Sequence, residues 1–121
     1  METILKRYFQ SWIDADIRPL KDLFSENVVY SECYGPEYHG LDQVLKWFED
    51  WNERGKVHEW TVKRIIQKDR TLVAEWFFRY EHDRDSGCFN GVSIVDFDEQ
   101  NKICSIREYE SRSEHYFPYG E

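Results

Sequence analysis

The sequence lacks any uninterrupted apolar segment of the roughly 18 residues that a membrane-spanning helix requires. Its N-terminus, METILKRY, also lacks the basic and then apolar arrangement of a signal peptide. Cysteine is scarce: Cys33, Cys88 and Cys104 are an odd number, and no two of them form a C-x-x-C pair. We therefore expect neither a disulfide framework nor a zinc site, and we expect a protein of the reducing cytoplasm.

Basic residues are outnumbered by acidic ones. The chain has 16 lysines and arginines against 24 aspartates and glutamates, which gives a net charge of −8 at pH 7. A nucleic-acid binder needs a basic stripe to displace counterions, and an anionic membrane surface repels an acidic protein. The four histidines show no metal-ligand spacing. The sequence thus predicts no nucleic-acid or membrane partner, no metal site and no bound cofactor.

Aromatic residues, in contrast, are abundant. They make up 17% of the chain, and charged residues make up 33%. This combination indicates an aromatic interior, or aromatic cavity walls, inside a well-solvated surface. A length of 121 residues suits one domain, and the chain contains no internal repeat, low-complexity stretch or linker. We expect a single domain spanning residues 1–121.

The hydrophobic period is 3.6 residues over most of the first half of the chain, with one short alternating segment at 28–33, and changes to alternation from Val57 onward. It predicts a helix over about residues 3–15, a short second helix with Pro19 in its first turn that ends at Asn27, and a third helix over about 41–54. Alternation and turn residues predict strands over about residues 28–33, 57–67, 72–82, 88–97 and 102–110. Three helices followed by long antiparallel strands give an α+β architecture, in which a bent sheet can leave a cavity at its open end.

Five segments carry a resemblance to a known family, in this order: KRY at 6–8, LFSENV at 23–28, YGPEYHG at 34–40, NGVSIVDF at 90–97 and NKICSIREY at 101–109. Their order and spacing resemble the nuclear-transport-factor-2-like superfamily, in its SnoaL-like and ketosteroid-isomerase-like branch. The resemblance covers nearly the whole chain. It implies a cone-shaped α+β barrel, with three N-terminal helices in the concavity of a strongly bent, mainly antiparallel sheet, and it implies homodimers.

The resemblance also implies site residues. Ketosteroid isomerases use a carboxylate base at the end of the first strand, with a helix-1 tyrosine and a protonated aspartic acid as oxyanion donors. The matching positions here are Glu32 for the base, Tyr8 for the tyrosine and Ser93 for the aspartic acid. Because a serine hydroxyl cannot replace a carboxylic acid, this departure argues against steroid isomerase activity.

Without the resemblance, each of these three residues can have either a functional or a purely structural role. Tyr8 lies on the apolar stripe of the first helix with Trp12, so its hydroxyl either faces a ligand or finds one partner in the core. Glu32 shares a strand face with Tyr30, so it is either a pocket carboxylate with a raised pKa or a solvated strand end. Ser93 is either a donor or a small residue that makes room inside the sheet.

The last predicted strand adds two acidic candidates. Continuing the resemblance, positions 104, 106, 108 and 110 face inward, which places Glu108 and Glu110 towards the cavity. Inward glutamates are unusual unless the cavity is wet, the carboxylates are paired or the site is catalytic. Arg64 and His39 are the candidate cationic partners. A β-bulge in the strand would instead send both glutamates to solvent.

The aromatic residues suit a flat, apolar, ring-containing ligand. Trp76 and Phe78 alternate on the expected concave side of the sheet and are candidate cavity walls. Trp47 and Trp51, one helical turn apart, either flank the entrance or cover the sheet. The alternative is that all these rings form an ordinary core. The aromatic tail at 114–119 is expected to dock over its own pocket or on a partner, and otherwise is disordered.

Three functions remain open. The first is an acid–base isomerase or cyclase acting on a hydrophobic carbonyl compound, with Glu32 as base and Tyr8 as donor. The second is a noncatalytic small-molecule binding protein, which either an exposed Glu32 or a fixed cation beside it would favour. The third is a homodimeric protein-association module, which a cavity filled by side chains would favour.

The outer face of the sheet is where we expect the homodimer to form. It is predicted to mix apolar with charged side chains that can pair across a two-fold axis: Val73, Phe77, Ile94, Ile103 and Tyr109 with Glu75, Arg79 and Arg107.

Overall fold

The computed structural model describes residues 1–120, which form three helices and six strands. The helices are α1 (Glu2–Asp14), α2 (Leu20–Leu23) and α3 (Leu41–Asn52). The strands are β1 (Phe24–Ser31), β2 (Glu37–His39), β3 (Gly55–Lys68), β4 (Thr71–His82), β5 (Asp85–Phe97) and β6 (Ile103–Arg112). None of these helices combines the length and the apolar character needed to traverse a bilayer.

The six strands form one sheet in the order β2-β1-β6-β5-β4-β3. All neighbouring pairs are antiparallel except β1 and β6, which run parallel. Within residues 1–120 the two edge strands, β2 and β3, do not pair, so the curved sheet stays open and does not close into a barrel. The predicted α+β architecture of three helices against a mainly antiparallel sheet is confirmed.

Helix α1 fills the concavity because its apolar residues recur at helical spacing. Leu5, Tyr8, Phe9 and Trp12 are all buried. The ring of Phe9 stacks on that of Trp60 from β3, with 3.8 Å between ring centroids, which fixes the helix against the sheet. The helix ends at Ala15, whose left-handed backbone provides the C-terminal cap.

The second helix is shorter than the sequence suggests. Its predicted end at Asn27 is wrong, because the backbone is already extended at Phe24, which pairs with Ile103 and is buried in the core. Tertiary pairing therefore outweighs the local helical pattern. The short strand β2 was not predicted; it forms because the chain turns back at Gly35-Pro36 and pairs Tyr38 with Tyr30.

Strand β6 contains an irregularity that corrects two predictions. Phe97 pairs with Ile103, but Asp96 pairs with Ser105, so Cys104 is the extra residue of a β-bulge. Ile103, predicted for the outer face, is therefore fully buried, and Cys104 does not share the inward face of Ile106. Beyond the bulge the predicted alternation resumes.

The C-terminal segment leaves its aromatic rings exposed and contributes no residue to the lining of the cleft. Tyr116, Phe117 and Tyr119 are 83%, 60% and 99% exposed. The prediction that this segment docks over its own cleft is therefore wrong for the structure of residues 1–120, and its aromatic rings stay available to another surface.

Candidate functional site

A narrow cleft opens to solvent between α1, α3 and the inner face of the sheet. Its volume is about 40 Å³, which is room for only a few water molecules. Its walls are aromatic apart from two glutamates, a cysteine and a valine: Trp12, Glu32, Cys33, Tyr34, Trp47, Trp51, Val57, Trp60, Trp76, Phe78, Phe89 and Glu108. None of these lining residues is a lysine, an arginine or a histidine.

Two sequence periods bring the rings together. Trp47 and Trp51 lie one turn apart on α3, and both contact Trp12 of α1, with ring centroids 5.0 and 5.5 Å away. Trp76 and Phe78 alternate on the inner face of β4. The strand beside them leaves space for these rings, since a Cβ atom at Gly91 of β5 would collide with the indole of Trp76.

A chain of hydrogen bonds runs behind the cleft to Glu108. The indole Nε1 of Trp76 donates to the Ser93 hydroxyl over 2.9 Å, and that hydroxyl donates to Glu108 Oε2 over 3.1 Å. On the other side, Tyr8 donates to the Tyr30 hydroxyl over 2.7 Å, and Tyr30 is hydrogen-bonded to Glu108. Glu108 is thus the end point of two buried donor chains.

The surroundings of Glu108 favour its protonated form. Burial raises the pKa of this carboxyl to about 8, against the opposing effect of the hydrogen bonds from Tyr30 and Ser93. The negative charge of Glu32 adds a smaller increase. At neutral pH Glu108 therefore holds a proton, as a carboxylic acid that can donate one.

The second carboxyl, Glu32, directly follows β1 and lies beside Glu108. Because Tyr30 pairs with Ile106 in the parallel register, two further residues along each strand bring Glu32 level with Glu108. Burial raises the pKa of Glu32, while the Tyr38 hydroxyl, which donates to Glu32 Oε1 over 2.9 Å, lowers it.

Neither candidate cation accompanies these carboxyls. A second register shift, between Val62 and Arg64 in β3, places Arg64 opposite Glu75 of the outer face. His39 instead contacts Glu37 on the exposed edge strand, 2.7 Å away. The predicted pairing of an inward glutamate with Arg64 or His39 is therefore wrong. Residues 1–120 also contain no cluster of three acidic, histidine or cysteine side chains arranged to hold a metal ion.

The predicted site residues fall into three groups. The residues that line the cleft are Trp12, Glu32, Trp76, Phe78 and Glu108. The residues behind it, in the hydrogen-bond chain, are Tyr8, Tyr30 and Ser93. Glu110 follows the same alternation as Glu108 but does not line the cleft, because at this point the strand has reached the open rim of the sheet, where the carboxylate is exposed and accepts from Cys33 Sγ over 3.7 Å. Tyr8 is fully buried, and its hydroxyl donates its hydrogen bond to Tyr30. Tyr8 therefore does not contact the cleft and can influence it only through Tyr30 and Glu108.

The roles of Tyr38 and Gly91 were not predicted from the sequence. Tyr38 lies on the unpredicted strand β2, and a hairpin around Gly35-Pro36 is the signal that would have brought it back towards Glu32. Gly91 shows its role only through its cross-strand neighbour Trp76. Both depend on which residues are paired across strands, which local periodicity does not give.

Most of the chain matches a known protein family. Residues 5–106 match the model of the SnoaL-like domain. The chain belongs to this family. Its open, curved sheet with three helices is the cone-shaped arrangement of nuclear-transport-factor-2-like folds, as the resemblance implied. No curated protein matches the sequence.

Solved structures with the same fold are distant in sequence. A protein of ketosteroid isomerase-like fold from Catenulispora acidiphila, in complex with trimethylamine, has a TM-score of 0.78 at 16% identity, covering 89% of this chain and 85% of that one. A protein described as a SnoaL-like polyketide cyclase from Shewanella denitrificans has a TM-score of 0.80 at 10% identity, covering 91% and 89%. An M. tuberculosis epoxide hydrolase has a TM-score of 0.80 at 13% identity, covering 90% and 80%.

Proposed function

We propose that this SnoaL-like chain is an acid–base enzyme acting on a small molecule held in the aromatic cleft, with Glu32 as the base and Glu108 as the acid. The observation that carries the proposal is a pair of carboxyls in one cleft, without a basic side chain among its lining residues. Two titratable groups whose surroundings give them different proton affinities are the usual arrangement of an acid and a base.

The two glutamates differ in their protonation at neutral pH. Glu108 is half-buried at the wall of the cleft and keeps its proton at neutral pH, so it can donate to an oxygen that gains negative charge during a reaction. Glu32 receives one hydrogen bond from Tyr38, which favours its ionised form, and burial makes it a stronger base than a solvated glutamate. Together they suit proton transfer next to a carbonyl group, as in an isomerisation or a cyclisation.

The size of the cleft limits the reacting group. About 40 Å³ accommodates a compact group, whereas a flat ring system requires the rings at the mouth to move. Structures of the same fold include proteins described as a polyketide cyclase and an epoxide hydrolase, which supports a small-molecule role in general terms.

Exchange of α-protons for deuterium tests this proposal before the substrate is known. A panel of small ketones is incubated with the protein in D₂O, and the loss of the α-proton signal is followed by NMR. Glu32→Gln keeps the shape and removes the base, so we expect exchange to slow by about a hundredfold or more. Ketones that exchange no faster with the protein than with buffer, or an unchanged rate in E32Q, would contradict the proposal.

A noncatalytic binding role is the alternative reading of the same cleft. Two features were expected to favour it, an exposed Glu32 and a fixed cation beside that residue; Glu32 is half-buried and no cation stands among the lining residues, so both count against it. Ligand binding that E32Q leaves intact, without any exchange activity in the wild type, would favour this reading.

The outer sheet face favours a second candidate function, homodimeric association. Tyr109 is 55% exposed there, and Val73, Phe77 and Ile94 are only partly covered. The exposed aromatic tail offers further apolar surface to a partner. We propose that two copies meet through this face. Light scattering should give a dimer mass that Phe77→Glu reduces to that of a monomer; a monomeric wild-type protein in concentrated solution would rule the dimer out.

A further inference from the structure

The charges around the cleft are unbalanced. Glu32 and Glu108 line it, and basic side chains of α3, β3, β4 and the segment after α3 have partners of their own: Lys46 with Asp50, Lys56 with the carbonyl of Ile13, and Arg54 and His82 with Asp83. A buried carboxylate normally has a cationic partner or several donors, since burying an unpaired charge is costly. Here the protein supplies no cation among the residues that line the cleft.

The walls of the cleft are suited to a cation as well. Trp12 and Trp51 meet at 85°, and Trp60 and Trp76 meet at 83°, so pairs of rings form corners and not flat stacks. The face of an aromatic ring carries negative potential and attracts an ammonium group. The indole N–H groups of Trp12 and Trp60, the donors that an anion would need, are shielded in the interior.

We propose that the occupant of the cleft is a small organic cation, whose alkylammonium head group lies among the aromatic rings and neutralises the carboxyls of Glu32 and Glu108. This inference rests on the proposed small-molecule function and names the class of its ligand. A compact, methylated head group suits the narrow cleft, and its substituents extend through the mouth beside the half-exposed ring of Tyr34. The positive charge favours the ionised form of Glu108, which then serves as the counter-ion of the ligand, so Glu108 acts as the acid only when the cleft holds an uncharged molecule.

Such a ligand couples its binding to a proton. Burial raises the pKa of Glu108 to about 8, so a cation that binds the ionised carboxylate must displace that proton below this pH. The other groups around Glu108 are Tyr8 of α1, Tyr30 of β1, Glu32 and Cys33 after β1, and Glu110 of its own strand. Burial raises the pKa values of both tyrosines and of the cysteine, which keeps them neutral. We therefore expect Glu108 to dominate the coupling.

The experiment compares choline with dimethylbutanol, its neutral isostere in which carbon replaces nitrogen. Binding of each is measured by calorimetry and by the NMR shifts of the indole N–H groups. We expect choline to bind about tenfold tighter than the isostere or better, and to bind about tenfold tighter at pH 9 than at pH 7, since ionised Glu108 becomes predominant in that interval. Choline is permanently charged, so the pH dependence reports the protein alone.

Two variants locate the effect. Glu108→Gln keeps the hydrogen-bonding shape and removes the titrating charge, so it should weaken choline binding and abolish the dependence on pH. Glu49→Gln removes one negative charge from the exposed side of α3 and should leave both unchanged. If a thermal melt shows that E108Q is unfolded, the comparison of choline with its isostere and the pH dependence of choline binding, both measured on the wild type, still test the proposal.

Three results would overturn the inference. The isostere could bind as tightly as choline, choline and tetramethylammonium could both fail to bind at millimolar concentration, or choline binding could be independent of pH. None of these results bears on deuterium exchange into ketones, which separately tests the acid–base function.

Discussion

The inner face of the sheet has two ends that differ in composition along the same three strands. At the closed end, β4, β5 and β6 contribute Leu72, Val95 and Ile106, all fully buried. At the open end, the same strands contribute Trp76, Ser93 and Glu108 at adjacent inward positions. One end is an aliphatic core, and the other is an aromatic cleft with acid groups. The difference indicates that stability and chemistry are separated along the strand direction.

The largest expected effect is at the closed end. Leu72→Ala removes a fully buried side chain and should lower the free energy of unfolding by about 2–5 kcal/mol, because it leaves a cavity. Urea denaturation measures the change. Ile66→Ala, at an exposed position on the outer face of the edge strand β3, is the control and should cost less than about 1 kcal/mol. Equal losses in both variants would mean that the closed end is not the stabilising core.

The next effect is a dependence of stability on pH, at the open end. Burial raises the pKa of Glu108 from 4.5 to about 8, so between these values the folded protein holds a proton that the unfolded chain has released. Stability should therefore fall as the pH rises through this window, by on the order of a few kcal/mol. In Glu108→Gln this contribution should vanish, so that the variant becomes more stable than the wild type near pH 8. Parallel curves for the two proteins would contradict the burial of a proton-bearing Glu108.

A smaller effect should follow from filling the space beside Trp76. In Gly91→Ala the new methyl group collides with the indole, which should displace the ring, break its hydrogen bond to Ser93 and cost about 1–3 kcal/mol. Thermal melts give the loss of stability, and the NMR shift of the Trp76 indole N–H reports the broken bond. An unchanged indole signal would show that the ring does not depend on Gly91.

The smallest effect concerns the hydrogen bond from Tyr38 to Glu32. Tyr38→Phe removes a donor that favours the ionised carboxylate, so the pKa of Glu32 should rise further while stability falls by about 0.5–1.5 kcal/mol at most. The pH dependence of deuterium exchange should shift upwards in this variant. A shift downwards would mean that Tyr38 acts on a different group.

Much of the fold was predictable because its helices and long strands follow the local periodicity of apolar residues. The spacing of apolar residues gave helix α1 and helix α3 nearly to their ends, and alternation gave the four long strands. The same alternation placed Trp76 and Phe78 on the inner face. Glu108 was placed there by continuing the family resemblance along the last strand, two residues beyond the end of the SnoaL-like match at residue 106.

What was not predictable depends on single-residue shifts and on contacts between distant segments. The bulge at Cys104 and the shift before Arg64 each insert one residue into a strand, which local composition does not reveal. The hydroxyl of Tyr8 meets Tyr30 only after α1 packs into the sheet. The identity of the proton-bearing carboxyl depends in turn on burial, which no residue spacing encodes.

Direct titration of Glu108 shows whether the open end of the sheet holds a carboxylic acid that keeps its proton at neutral pH. Carboxyl carbon shifts of ¹³C-labelled glutamate are followed by NMR across the pH range, and Glu108→Gln identifies the resonance. We expect a pKa of about 8 for this group. A pKa near that of a solvated glutamate, about 4.3, would contradict it.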